Sequence, residues 1–253
     1  MRVITVYNHK GGCAKTVTAV NFAYHLSEAG YRVLVVDMDP QGNASSFFRR
    51  YDINKVSVRD LLTGEALPGR CCYRTGYKGL DIIQANLRLR EVVPDALVFG
   101  QKTLKYGLEA MDGKYDYCIV DCPPSVDFLT EVIMAAAEDV LVPLKPDRFS
   151  ADGLGTVLDI IQEFGPEDVA VKGLFTQFYH HRDALSVIHG MLATSGVPLY
   201  DSVIRRCAAV DHSVLVKRPL AKCASRSAAA QDYRDFAMEY LEAAGEVEKD
   251  GIA

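Results

Sequence analysis

At 253 residues, 49% hydrophobic and with a net charge of −5, the chain can bury a core of its own and is not a uniformly basic nucleic-acid coat. No apolar run reaches the roughly 18 residues of a membrane span, and a strand-like run begins two residues from the start, so no secretory signal is evident. The seven cysteines are scattered without zinc-ligand spacing, as reduced thiols packed like small apolar groups would be, and a cytoplasmic location is expected.

The first predicted strand covers residues 2–8 and the first helix 15–29. Between them runs Asn8-His9-Lys10-Gly11-Gly12-Cys13-Ala14-Lys15-Thr16. A glycine-bearing turn from strand to helix points backbone N–H groups at one spot, and the helix N-terminus adds partial positive charge there. Together they make a phosphate cradle. Lys15 is placed to reach the β- and γ-phosphates and the Thr16 hydroxyl to ligate Mg²⁺. Gly11, Gly12, Cys13, Ala14 and Val17 belong to the same cradle. Lys10 is a second lysine that an ordinary phosphate loop does not need. The loop departs from G-x-x-x-x-G-K-[ST] at His9 and at Ala14, and an alanine held at positive φ costs roughly 1–2 kcal/mol. Cys13 lies where a helix N-terminus lowers a thiol pKa, which makes it a candidate redox-sensitive group. The bland alternative for the whole segment is a Gly/Lys surface turn with no ligand.

A strand over 32–37 ends in Asp37-Met38-Asp39-Pro40-Gln41-Gly42-Asn43. The stretch from Phe47 to Gly79 is the least regular, with a helix over 57–63, and reads as an excursion from the same domain. A strand at 80–84 and helices at 86–93 and 101–112 lead to another apolar strand, 115–121, which ends in Asp121-Cys122-Pro123-Pro124-Ser125. Runs this apolar suit interior parallel strands covered on both faces, and ligands of such sheets bind beyond the carboxyl ends of the strands. The loop, Asp37, Asp39 and Asp121 are therefore expected at one edge. Carboxylates repel phosphate unless a cation intervenes, and Mg²⁺ is the economical one. Each aspartate taken singly reads more readily as a strand-end turn former or a helix cap; it is three of them in register with a phosphate loop that point to a cation.

Helices at 126–137, 150–164, 182–194, 208–215 and 226–243 then alternate with strands at 138–143, 168–176 and 198–204. This alternation predicts an α/β fold, a mostly parallel twisted sheet with helices on both faces, in one nucleotide-binding domain over residues 1–253. Charge is uneven along it. Between Asp201 and Arg226 six basic side chains stand against two acids. Arg205, Arg206, Lys217, Arg218 and Lys222, with Arg182 as an outlier, are candidates for contact with a phosphate backbone. The alternative is an ordinary solvated surface.

These motifs resemble the ParA/Soj-type partition ATPases of the deviant Walker A group, a branch of the P-loop NTPases. The signature K-G-G-x-G-K-[ST] is matched by Lys10 to Thr16 with Ala14 as the exception. V-D-x-D-P-Q-G-N is matched by Val36 to Asn43, and the hydrophobic-D-C-P-P-S motif by Val120 to Ser125. The resemblance covers essentially the whole chain and implies an ATP-induced sandwich homodimer that hydrolyses ATP slowly. It implies that Asp37 and Asp121 hold the waters of Mg²⁺, that Asp39 orients the attacking water, and that Lys10 crosses to the partner's phosphates. It further implies binding to non-specific DNA, stimulation by a ParB-like centromere-binding partner, and association with the nucleoid. The acidic end, from Glu242, is unlike the basic amphipathic helix with which MinD-like relatives bind membranes, so no membrane contact is expected. No cysteine pair sits at the spacing of the nitrogenase iron protein. Ala14 leaves open a second reading, a degenerate nucleotide switch for another cargo that hydrolyses ATP poorly.

Overall fold

The computed structural model describes residues 1–179, 190 and 196–245, and not the side chains of residues 148–152. β1 (Arg2–Val6) leads through the glycine turn to α1 (Lys15–Glu28) and β2 (Val33–Asp37). Short helices α2 (Asn43–Phe47), α3 (Val58–Leu62) and α4 (Pro68–Cys71) precede β3 (Cys72–Arg74) and β4 (Leu80–Ile83). The alternation continues through α5 (Thr103–Glu109), β5 (Tyr117–Asp121), α6 (Phe128–Met134), β6 (Asp139–Leu144), α7 (Arg148–Phe164) and β7 (Ala170–Phe178). β8 (Leu199–Arg205), α8 (Ala208–Val216), α9 (Leu220–Cys223) and α10 (Ala228–Ala243) follow.

Among the described residues the strands form one eight-stranded sheet in the order β3-β4-β2-β5-β1-β6-β7-β8. Every neighbouring pair is parallel except β3 and β4. β2, β5 and β6 are buried at every position, because helices cover both faces of the sheet and the apolar runs have nowhere wet to point. Leu34, Val36, Cys118 and Val120 join the core beneath α3, α5, α6 and α7. Their alternates Val33, Val35, Tyr117 and Ile119 join the core beneath α1, α2 and α10. In that second core the Phe22 ring of α1 lies 4.8 Å from Phe236 and 5.0 Å from Tyr240, and the Thr18 and Tyr233 hydroxyls are 3.0 Å apart. A fully buried aromatic of this size contributes about 1.5–3 kcal/mol. α10 therefore anchors α1, the helix whose N-terminus carries the glycine loop.

The expected α/β architecture is present, and its differences from expectation have local causes. The helix expected over 86–93 is a 3-10 segment, Leu87–Glu91. Pro94 holds Val93 extended (ψ 157°), so no helix can continue into it. The helix expected over 101–112 is confined to α5, preceded by a 3-10 turn at Gly100–Lys102. α6 begins two residues late, where Asp127 and Thr130 form a reciprocal cap. The irregular excursion contains β3, which pairs antiparallel with β4 through a turn held by Thr75, whose hydroxyl donates to Leu80 O at 2.6 Å. The helix expected over 182–194 lies outside the described residues apart from Gly190, as does the acidic end from Glu246 on. No described helix is long and apolar enough to cross a membrane.

Candidate functional site

Strand register assembles the site. Val6 of β1 pairs with Asp121 of β5, and Asp121 pairs with Asp37 of β2. The two aspartates therefore stand side by side at the carboxyl edge, next to the strand that runs into the loop. Both are fully buried. Asp37 is well compensated. Its Oδ1 accepts from Asp39 N at 3.1 Å, and its Oδ2 accepts from Ser45 N at 2.8 Å and from the Ser45 hydroxyl at 2.6 Å. Even so, burial pushes its carboxyl up to about 6. Asp121 has neither oxygen hydrogen-bonded. Burial first, then the charge of Asp37, pushes its carboxyl far above the usual range, with the Thr16 side chain and the Lys15 charge working the other way.

The loop is built around Lys15. Its ammonium is buried and donates to Asn8 O at 2.7 Å and Lys10 O at 2.9 Å. Asn8 ties the loop to β6 through Nδ2, which donates to Pro143 O at 2.9 Å, and its Oδ1 accepts from Lys10 N at 3.0 Å. Gly12 takes φ 71° and Ala14 φ 66°, ψ 28°. The position that is glycine in the usual motif has a left-handed backbone in this chain, and Ala14 bears the strain. Among the described residues the backbone N–H groups of Gly11, Gly12, Cys13 and Ala14 have no acceptor. Val17 buries its side chain in the core beside α1, which leaves only its backbone at the helix start for a ligand. The Lys10 side chain extends to α7, where a methyl on Gly153 would meet its Cε at 2.6 Å. Asp39 is partly exposed and its Oδ1 accepts from Gln41 N at 2.8 Å.

This donor set fits a hard divalent cation. Two oxygens buried without donors on Asp121, beside a second buried carboxyl and a threonine hydroxyl, carry a charge only at a high desolvation cost, which a bound cation offsets. Among the described residues no three His, Cys, Asp or Glu side chains cluster as a cage, which disfavours an all-protein metal centre. Mg²⁺ needs no such cage, since it uses one or two carboxylates and completes its shell with water and phosphate.

Residues 1–170 match the AAA domain family AAA_31. The chain is 32% identical over 252 residues to the chromosome partitioning protein ParA of Caulobacter vibrioides, covering 95% of this chain and 94% of that one. It is 32% identical over 249 residues to the sporulation initiation inhibitor protein Soj of Bacillus subtilis, covering 94% and 97%. The chain belongs to the ParA/Soj family of partition ATPases. A Mycobacterium smegmatis protein described as cobyrinic acid a,c-diamide synthase, solved with an ATP analogue and magnesium, is similar with a TM-score of 0.83 at 30% identity, covering 96% of this chain and 94% of that one. Its description concerns a different reaction, carried on the same P-loop fold.

Around this family core the structure adds residues that the sequence motifs do not contain. The Thr176 hydroxyl donates to Cys13 O at 3.1 Å, and Gln177 Nε2 donates to Gly12 O at 2.7 Å. Gln177 does so from a left-handed backbone, φ 56°. Lys145, just past β6, brings its ammonium to the Gly12 side of the loop. All three stand at the carboxyl ends of β6 and β7, and the strand-end rule applied to those strands points to them. Cys13 is corrected: it is buried and its thiol donates to Lys10 O at 3.2 Å. Burial raises its pKa above the ordinary thiol value, outweighing Lys15 and the backbone, so it is not an activated thiolate.

The basic candidates separate. Arg205 is held by Asp232 of α10 through contacts at 3.0 Å and shorter, tying β8 to that helix. Arg206 lies over the Tyr179 ring at 5.1 Å. Lys217 and Arg218 are exposed and line one small cleft with Arg49, Phe48 and Tyr77. The Lys222 ammonium lies 5.4 Å from the Tyr24 ring centroid, and its charge, with those of Arg218 and Arg49, reaches Tyr77. Arg49 is a cation that the sequence reading left out. Arg182 lies outside the described residues.

Proposed function

We propose that this chain is an Mg²⁺-dependent ATPase switch that partitions DNA, its 253 residues acting as one nucleotide-binding domain. The observation that carries the reading is the orphaned Asp121 carboxylate beside Asp37, buried next to a loop of unpartnered N–H groups. Thr16, Asp37 and Asp121 would hold Mg²⁺, directly or through its waters, and the ion supplies charge neutralisation at the terminal phosphates. Lys15 and the N–H groups of Gly11 to Val17 hold the β- and γ-phosphates of ATP; Lys15 must exchange its carbonyl partners for phosphate oxygens to do so. Asp39, partly exposed at the rim, orients the attacking water. Lys10 crosses to the nucleotide of a second copy, so dimerisation depends on ATP. Positioning and electrostatics supply most of such catalysis. The dimer binds non-specific DNA through Lys217, Arg218, Lys222 and Arg206, and a ParB-like partner stimulates hydrolysis and resets it. The protein acts in the cytoplasm on the nucleoid.

A second reading is favoured by one observation, the Ala14 methyl at φ 66° in the cradle: a nucleotide switch that hydrolyses ATP negligibly. Turnover of Mg-ATP by the purified protein, with and without DNA, separates the two. Sedimentation with and without ATP tests the switch itself. The parent is expected to dimerise with ATP, Lys15→Ala to bind no ATP, Lys10→Ala to bind ATP but remain monomeric, and Asp39→Ala to dimerise without hydrolysis. Normal ATP affinity in Lys15→Ala would remove the cradle assignment.

A further inference from the structure

Lys145 follows β6 directly, and β6 flanks β1 on the side opposite β5 and β2. A methyl group built on Gly12 would sit 3.7 Å from the Lys145 ammonium. That ammonium acts on the Cys13 thiol in the same direction as Lys15, lowering its pKa. The strand end that carries Lys145 is fastened to the loop on both sides. Asn8 Nδ2 donates to Pro143 O at 2.9 Å. The Thr176 hydroxyl donates to Cys13 O at 3.1 Å and lies 3.4 Å from Leu144 O. The position of Lys145 against the loop is thus set by the fold. Among the described residues it has no acidic partner.

Three lysines, Lys10, Lys15 and Lys145, therefore border one loop. Lys15 has two carbonyls to satisfy it, whereas the Lys145 ammonium has no hydrogen bond or ion pair among the described residues, and like charges held close together repel. An anion with several charges relieves that repulsion. The carboxylates that fit a divalent cation, Asp37 and Asp121, end the strands on one side of β1, and Lys145 ends the strand on the other. A phosphate chain lying over the end of β1 would meet Lys145 on one side and, with a divalent cation held by the two carboxylates, positive charge on the other.

We propose that Lys145 is a third phosphate-binding lysine of this site, engaging the terminal phosphate of a bound nucleoside triphosphate from the β6 side. The proposal rests on the Mg-ATP reading given above. Lys145 provides charge that the signature lysines do not, because Lys15 serves the inside of the cradle.

The test is calorimetric titration of ATPγS and of ADP, each with Mg²⁺, into the parent, Lys145→Gln, Lys145→Met, Lys145→Arg and Lys15→Ala. Lys145→Gln and Lys145→Met are expected to lose roughly tenfold to a hundredfold in ATPγS affinity and less than about threefold in ADP affinity, with melting temperatures unchanged in the absence of nucleotide. Lys145→Arg, which keeps the charge, is expected to stay near the parent. Unchanged ATPγS affinity in both neutral variants overturns the proposal. An equal loss for ADP and ATPγS overturns it as well, since the contact is then not with the terminal phosphate. A parent that binds neither nucleotide overturns the Mg-ATP reading and Lys145 with it. A parent and Lys145→Gln that bind alike, while Lys15→Ala binds nothing, remove Lys145 alone and leave that reading standing.

Discussion

Replacing Asp121 by asparagine is expected to stabilise the nucleotide-free protein while disabling its response to Mg-ATP. The two carboxylates differ in what surrounds them: Asp37 accepts three hydrogen bonds and Asp121 accepts none. Burial, with a smaller contribution from the charge of Asp39, lifts Asp37 from 3.8 to about 6 despite those bonds, a penalty of about 3 kcal/mol when it ionises. Asp121 is raised further by the adjacent charge. Because these folded-state values lie above the unfolded ones, the folded protein holds more protons from about pH 4 upward. The stability of the nucleotide-free protein therefore falls as pH rises through about 4 to 6 on account of Asp37, and goes on falling above that as Asp121, raised further, ionises. In Asp121→Asn the side chain keeps nearly the same shape without the charge, so a gain of about 1–3 kcal/mol is expected at pH 7, roughly 2–10 °C in Tm for a chain of this length. The fall with pH should also become shallower. The assay is thermal melting of both proteins from pH 4 to 8, with and without Mg-ATP. The parent is expected to gain stability from Mg-ATP and the variant to gain little. A variant that melts below the parent at pH 7 without nucleotide refutes the reasoning, because the carboxylate would then be stabilising by itself.

Three other outcomes follow from the same geometry. Gln177→Met keeps the side-chain length but loses the donor to Gly12 O; ATP affinity measured by calorimetry should fall roughly threefold to tenfold, and an unchanged value would make the contact incidental. Ala14→Gly relieves a left-handed alanine and should stabilise the protein by about 1 kcal/mol in chemical denaturation; a loss of stability would mean that the strain is absorbed elsewhere. For the basic cleft, DNA affinity measured against salt should weaken and lose slope in Lys217→Glu/Arg218→Glu and again when Arg49→Glu is added. Parent-like slopes in both would exclude the cleft as a phosphate contact.

What the sequence made legible was what is local. The loop from Asn8 to Thr16, the aspartates at the ends of two apolar strands and the alternation that makes the sheet parallel are each contained in a short stretch of chain, and the structure brings them to one edge. The register that sets Asp37 beside Asp121 needed only the rule that interior strands pair along their apolar runs. Expectation failed where packing or pairing outside the stretch being read decides the outcome. Nothing around residues 72–74 has a strand-like length, yet β4 offers them a partner. Cys13 sits at a helix N-terminus, but the fold buries it and desolvation outweighs the helix.

The residues that complete the site are of this second kind. Gln177 and Gly12 are 165 positions apart, and a signature read along the chain cannot contain both. Their contact matters because the loop sequence departs from its pattern. Ala14 makes the loop's left-handed turn less favourable than glycine would, by an amount comparable to one hydrogen bond. Thr176 and Gln177 each donate to a carbonyl just ahead of that turn, and Asn8 anchors its beginning. Gln177 is itself held at positive φ, so strain is kept at β7 to place a donor on the loop. The loop conformation is then a property of β6 and β7 as much as of the motif. On this argument Ala14→Gly should partly restore the ATP affinity lost in Gln177→Met. If the two changes are additive instead, measured as a double-mutant cycle, the clamp and the turn act independently.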